Sequence, residues 1–308
     1  MSRVVRPSTL NLRPSTRIAA WLDREDVLGY LLVAPVVVVV VGFLAYPFYL
    51  ALSTSLTDKV IGGEPHFVGF KNYETIWQNS VYRQAIRNTI VFTLGSIAIK
   101  LPLGFVLALV LNERIRFRKA FRSAVLLPWI VPAVLSAMAW LWMFNGNFSV
   151  LNYIIVHLGL GRGVRWVTDP NVAMFSVTLV NAWRGVPFYG ITLLAGMQAI
   201  PSELYEATAI DGAGRLQRFR HVTLPLVMPI LVITLLLSTI ATVSDFNVIY
   251  SLTGGGPFNS TQVLATYSYA TALGAGRMGE GAAISLTMFP VLLALLVLEV
   301  RYLTRRQA

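Results

Sequence analysis

Six stretches of this chain are long and apolar enough to cross a lipid bilayer, and that constrains its fold more than any other feature. A helix needs about 20 residues to span the hydrocarbon core. The runs fall at residues 27–50, 88–111, 121–144, 171–198, 224–250 and 281–303. Lipid offers no partner for a free backbone N–H or C=O, so each run is predicted to be a helix. The predicted fold class is therefore an all-α membrane protein, a six-transmembrane-helix bundle. Composition agrees, since 13% of residues are charged against about 25% in an ordinary soluble domain. The first run follows Arg3, Arg6, Arg13, Arg17 and Arg24 and could pass for a secretory signal. It exceeds the ~7–15 apolar residues of such a signal and no small-x-small cleavage site follows, so it reads as a retained anchor.

The formal charge of +11 need not mean nucleic acid, because its distribution encodes orientation. Basic residues collect before the first run, at Arg114, Arg116, Arg118 and Lys119, at Arg215, Arg218 and Arg220, and at Arg301, Arg305 and Arg306. The alternate connections hold Lys59, Lys71, Arg83, Arg162, Arg165 and Arg277. Fifteen against six places both termini in the cytoplasm, because Lys and Arg concentrate on that side. The expected organisation is a cytoplasmic segment 1–26, a transmembrane domain 27–303 and a cytoplasmic tail 304–308. The longer outer connections, 51–87 and 145–170, are expected to carry short amphipathic helices. Asp169-Pro170 reads as an N-cap followed by proline at the first helical position.

Catalytic chemistry finds little support. There is no cysteine, hence no disulfide, thiolate ligand or thiol nucleophile. No Gly-x-x-x-x-Gly-Lys-Ser/Thr loop is present to cradle ATP. Gly274-Ala275-Gly276-Arg277-Met278-Gly279 spells Gly-x-Gly-x-x-Gly, but it precedes a membrane run with no strand ahead of it, so it reads as a turn. His66, His157 and His221 lie far apart, and no metal site is expected.

One stretch stands out. Residues 201–223 form a polar, Gly-punctuated island between two apolar runs on the cytoplasmic side. Pro201-Ser202 can start a short helix, Glu203 and Glu206 suit its N-terminal turns, and Gly212 and Gly214 can end it. Glu206, Ala209, Ile210 and Ala213 share one face by helical spacing. That face could dock into a partner's groove or pack under its own bundle; physics alone leaves both open.

Glu206-Ala207-Thr208, Asp211-Gly212-Ala213, Phe219, Val222 and Leu224-Pro225 resemble the "EAA" signature of ABC-importer permeases. Thr208 replaces the usual third residue and Val222 the more usual Ile. Asp245 through Pro257, with its Leu252-Thr253-Gly254-Gly255-Gly256-Pro257 turn, and Asn181 through Phe188 are similar to parts of helices five and four in maltose-type carbohydrate permeases. The resemblance covers 27–303 and implies the compact six-helix, type I form of the fold. It implies that Glu206, Ala207, Ala209, Asp211 and Gly212 meet a cytosolic ATPase subunit. No cofactor is implied for this chain, because ATP-Mg would sit on that partner. Further implied partners are a second homologous permease, two ATPase subunits in all, an extracytoplasmic sugar-binding protein, the bilayer and a carbohydrate, with no nucleic acid. The implied location is the cytoplasmic (inner) membrane of a prokaryote.

Two polar stripes lie inside the apolar runs: Asn181, Gly185 and Phe188, and Ser238, Thr242 and Asp245, each at i, i+4, i+7. The resemblance implies that they line a sugar pocket, with the amide and hydroxyls bonding sugar hydroxyls, Phe188 stacking on a ring and Gly185 leaving room. Ordinary helix contacts also use small and hydroxyl residues. Arg184 and Asp245 are expected about 20 Å and about 10 Å from the outer end, too different in depth for a simple ion pair. Lys100 falls near the centre of its run with no counter-charge evident. Pro128, Pro132, Pro225 and Pro229 supply bend points, whether static or moving. Three other readings stay open: an ion-coupled secondary transporter using Asp245, Arg184 and Lys100, a membrane scaffold or receptor, and an ABC permease for another solute such as a glycerol phosphate ester or an amino acid.

Overall fold

A computed structural model describes residues 25–113, 116–146 and 148–307. Residues 1–24, Arg114 of the basic connection and the final residue of the tail lie outside the described residues. The chain divides into two units, 1–53 and 54–308. The first contains most of α1 (Glu25–Ser55), which has Pro35 and Pro47 within it.

The second unit runs α2 (Lys71–Gln78), α3 (Ser80–Asn112), α4 (Arg118–Val125), α5 (Leu127–Ile130), α6 (Ala133–Met143), α7 (Val150–His157), α8 (Pro170–Gln198), α9 (Ser202–Ile210), α10 (Arg215–Arg218), α11 (Leu224–Val243), α12 (Asn247–Thr253), α13 (Leu264–Tyr269) and α14 (Met278–Gln307). Among the described residues β-type pairing is limited to two isolated bridges, Thr57–Phe67 and Val60–Arg277. The sequence expectation of an all-α protein is met.

Four of the expected runs become single long helices: α1, α3, α8 and α14. Helix α3 begins early, at Ser80, because the Asn79 side chain accepts from the Val81 N–H at 2.8 Å and caps it. The Asp169 carboxylate caps α8 in the same way, accepting from Asn171 N–H at 3.0 Å ahead of Pro170. At the other end of α3, Arg118 and Arg122 donate to the Leu111 carbonyl at 3.1 and 3.3 Å. Part of the basic connection thus neutralises a helix C-terminus.

The other two runs are broken. Residues 121–144, expected as one helix, turn by 90° between α4–α5 and α6. Val131 is extended ahead of Pro132, as the residue before a proline tends to be. The run 224–250 stops at Val243 and restarts at Asn247. At the gap, Asp245 accepts the Val248 N–H at 3.2 Å. Its short carboxylate offers the chain a local alternative to helix continuation, which hydropathy cannot register. By length and composition four described helical segments reach the requirements of a span, or five if the bent pair is one crossing. Helix α8 has the length, 29 residues, but its apolar surface is interrupted by polar groups.

Helices α3 and α8 pack closely. A Cβ on Gly104 would lie 2.3 Å from Tyr189 Cβ, so only glycine permits this approach. Three apolar clusters hold the unit among the described residues, and two of them join α3 to α8. One joins Phe92, Val177, Val180, Val248 and Ile249; the other joins Ala108, Leu111, Leu193, Met197, Val227 and Leu231.

Candidate functional site

Between these two clusters the same helices change character. Along α3 the order is Phe92, then Lys100, then Ala108 and Leu111; along α8 it is Val180, then Asn181, Arg184, Gly185 and Phe188, then Leu193 and Met197. Helix α11 runs from Val227 and Leu231 to Ser238 and Thr242, and α12 returns to apolar packing at Val248. The polar segments line an open-mouthed cavity of about 530 Å³ that also receives Trp129, Ser244, Asp245 and Asn247. All six residues singled out on the two stripes, Asn181, Gly185, Phe188, Ser238, Thr242 and Asp245, face this one space. Asp245 reaches it from the gap between α11 and α12 rather than from a continuous helical stripe.

The polar geometry is specific. Asn181 Nδ2 donates to Asp245 Oδ2 at 2.7 Å, a charge-assisted bond across α8 and the α11–α12 gap. Among the described residues no ion pair joins Arg184 to Asp245, although both line this cavity. Lys100, 4% exposed, donates to Thr242 Oγ1 at 2.9 Å. The Thr242 hydroxyl in turn donates to the Ser238 carbonyl at 2.6 Å. The Thr242 hydroxyl, expected to serve a sugar, therefore serves Lys100 first. Gly185 also differs from expectation: a Cβ there would stand 2.5 Å from Lys100 Cε, so the room it leaves is taken by the lysine stem. Asp245 and Arg184 are the other charged residues that line the cavity.

Two buried side-chain atoms in this wall have no partner among the described residues, Asn181 Oδ1 and Arg184 Nε. Buried polar atoms are nearly always paired, so an orphan acceptor and an orphan donor stand out in this wall. The aromatic element is a pair: Trp129 on α5 and Phe188 on α8 lie with centroids 6.2 Å apart and planes 21° from parallel. Sequence reasoning missed Trp129; its signal was an aromatic between Pro128 and Pro132, where a bent chain can turn a ring inward. Ser244 and Asn247 were missed because the run they sit in looked like uninterrupted helix.

At one end of the unit, α9 and the residues after it make a second surface. Helix α9 has no buried residue; Glu206, Ala207, Ala209, Asp211 and Gly212 are all exposed, and Ile210 is 87% exposed. Packing under its own bundle, the alternative left open by the sequence, does not occur. Gly212 has φ +76°, the left-handed conformation that favours glycine at a helix C-terminus, and the next residue's N–H returns to the Thr208 carbonyl at 2.9 Å. The Thr208 hydroxyl bonds back to Leu204 O at 3.0 Å, so this departure from the motif leaves the outer face unchanged. The helix is tethered to the membrane part by Tyr205 Oη and Thr223 Oγ1 at 3.0 Å. A π-type turn, Phe219–Thr223, leads directly into α11; within it Val222 and Thr223 are buried, and Phe219 packs edge-on against Phe105 of α3 at 5.7 Å.

A membrane-helix unit with a cavity that gathers its polar side chains and an exposed helix joined to one of the cavity-lining helices has the make-up of a solute permease. The chain belongs to the family of binding-protein-dependent transport system inner membrane components, which it matches over residues 100–307, and within it to the maltose-type ABC-importer permeases. It is 37% identical to the trehalose/maltose transport system permease protein MalF of Thermococcus litoralis, covering 90% of this chain and 94% of that one. It is 33% identical to the sulfoquinovosyl glycerol transport system permease protein SmoG of Agrobacterium fabrum, with 89% of each covered. Its fold resembles a chain of a bacterial ABC transporter involved in the import of the acidic polysaccharide alginate, with a TM-score of 0.80, 25% identity, and 94% and 99% of the two chains covered.

Proposed function

We propose that this chain is the transmembrane permease subunit of an ATP-driven importer for a di- or oligosaccharide in the cytoplasmic membrane of a prokaryote. It supplies half of the translocation path, crosses the membrane six times with both termini in the cytoplasm, and catalyses no covalent step. Helix α8, at about 1.5 Å per residue, is long enough to be a crossing, and the bent α4–α6 pair supplies another. The second half of the path comes from a homologous permease, and a substrate-binding protein delivers cargo from the outer side.

The observation that carries this reading is the convergence of Asn181, Arg184, Lys100, Asp245 and the Trp129–Phe188 pair on one cavity. Donors, acceptors and an aromatic wall together suit a polyhydroxylated ring. Helix α9 receives the motion of a cytosolic ATPase through Glu206, Ala207, Ala209, Asp211 and Gly212. That motion passes along α11, whose start is tethered to α9 and whose end carries Ser238 and Thr242. An importer rebuilt in liposomes with its partner permease, ATPase and binding protein tests the reading: ATP should drive accumulation of labelled maltose or trehalose, and Asn181→Leu should impair it with assembly intact.

A second reading, cargo bearing an anionic group such as a phosphate ester or acidic sugar, is favoured by one observation. The cavity holds two cations, Lys100 and Arg184, against one carboxylate, Asp245. Competition of glycerol phosphate or a uronate-containing disaccharide against maltose in the same vesicles separates the two.

A further inference from the structure

Lys100 is the most costly residue in the cavity wall and has had no task so far. A buried ammonium in a membrane helix is unfavourable and tends to mark function. It carries three donors. Among the described residues a single hydrogen bond accounts for one of them, the 2.9 Å contact to Thr242 Oγ1. No carboxylate pairs with it among the described residues, yet it lines the cavity.

Its position is enforced from two sides. The stem lies in the groove left by the missing Gly185 side chain, with Cδ and Cε 2.8 and 2.5 Å from where a Cβ would stand. The head is held by a directional relay, Lys100 to Thr242 to the Ser238 carbonyl. A tie between α3 and α11 alone would need no charge, since a hydroxyl or amide could bond Thr242 at far lower cost. The charge is explained if the remaining N–H groups have a use inside the cavity.

We infer that Lys100 is a cargo-contacting residue, its ammonium donating to a hydroxyl or ring oxygen of the passing sugar, with Gly185 and Thr242 as its positioning residues. Asn181 Oδ1, which has no partner, accepts from a sugar hydroxyl on the same wall. A ligand with alternating donors and acceptors is held by both, and one lacking hydroxyl groups is not. This assignment rests on the cavity being the sugar path.

This chain has no cysteine, so in a complex whose partner subunits are also made cysteine-free a thiol reagent reaches one chosen position. In the assembled importer, Lys100→Met and Lys100→Cys are expected to keep ATP hydrolysis but lower uptake of labelled maltose and trehalose at least tenfold. Treating Lys100→Cys with 2-aminoethyl methanethiosulfonate attaches an ammonium through a disulfide as methanesulfinate leaves; this should restore uptake, whereas the uncharged methyl reagent should not. Gly185→Ala keeps the cation but fills its seat, and a comparable loss is expected there even if the lysine variants assemble poorly. Wild-type uptake in Lys100→Met or in Gly185→Ala would overturn the assignment. So would equal rescue by both reagents, or no rescue when mass spectrometry shows full labelling. A wild-type complex that moves neither sugar while hydrolysing ATP would instead overturn the sugar reading, before any variant is made.

Discussion

The Asn181–Asp245 bond allows a quantitative test of how the cavity is held together. Its length is 2.7 Å and its acceptor is a carboxylate. Hydrogen bonds to charged groups contribute about 1.5–3 kcal/mol in water-soluble proteins. Bonds between membrane helices average only about 0.6 kcal/mol, with a maximum near 1.7. The short, charged contact across α8 and the α11–α12 gap belongs at the upper end of the membrane range, about 1.5 kcal/mol, or roughly a tenfold change in an equilibrium constant. A double-mutant cycle of Asn181→Ala and Asp245→Ala, read from reversible unfolding of the assembled complex in mixed micelles, isolates this coupling. Asp245 also caps α12 through Val248, so Asp245→Ala alone should cost more than Asn181→Ala alone. Additivity of the two changes within about 0.5 kcal/mol would refute the claim that this bond braces the cavity.

Other outcomes follow from the exposed helix and the cavity. Glu206→Lys reverses a charge on an exposed face with no hydrogen bond or ion pair to the Glu206 side chain among the described residues, so uptake should be lost while the melting temperature of the isolated subunit is unchanged. At Gly212 there is open space but a left-handed backbone, so Gly212→Asn should fold and transport, whereas Gly212→Trp should fold and fail in ATPase-pulldown and uptake assays. Thr208→Ala removes only a hydroxyl bonded back to its own helix, and uptake should stay within about twofold of wild type, since loss of an exposed bond of this kind costs well under 1 kcal/mol. Thr242→Phe removes the acceptor for Lys100 and fills the cavity, so uptake should fall at least tenfold with assembly retained, as read by co-purification of the subunits.

How much of this was legible in the sequence depends on the range of the interaction concerned. Helix α8 could be read because Asp169-Pro170 carries its own start signal, and α9 because Pro201 and Gly212 bracket it. The gap after Val243 could not, because hydropathy is continuous there and the break arises from one carboxylate capping the next helix. The 90° turn near Pro132 was legible as a bend but not in its size, since proline dictates local backbone and its neighbours decide the angle. The stripe residues stood out by their spacing, and the family resemblance implied that they line one pocket. Their pairings were not legible: Lys100 and Gly185 lie on different helices and meet only through packing, so the glycine's space seemed meant for cargo. The exposure of α9 was equally beyond sequence, since Glu206, Ala209 and Ile210 fit a docking face and a packed face alike.

The central claim, that an outside ATPase works through α9 to move sugar past the α8–α11 cavity, is tested most directly by initial uptake of labelled maltose or trehalose into vesicles holding the complete importer, with and without ATP and with Glu206→Lys. The account predicts ATP-dependent accumulation that is insensitive to ionophores and is abolished by Glu206→Lys. Accumulation by this chain alone under a proton or sodium gradient, or unchanged ATP-driven uptake in Glu206→Lys, would contradict it.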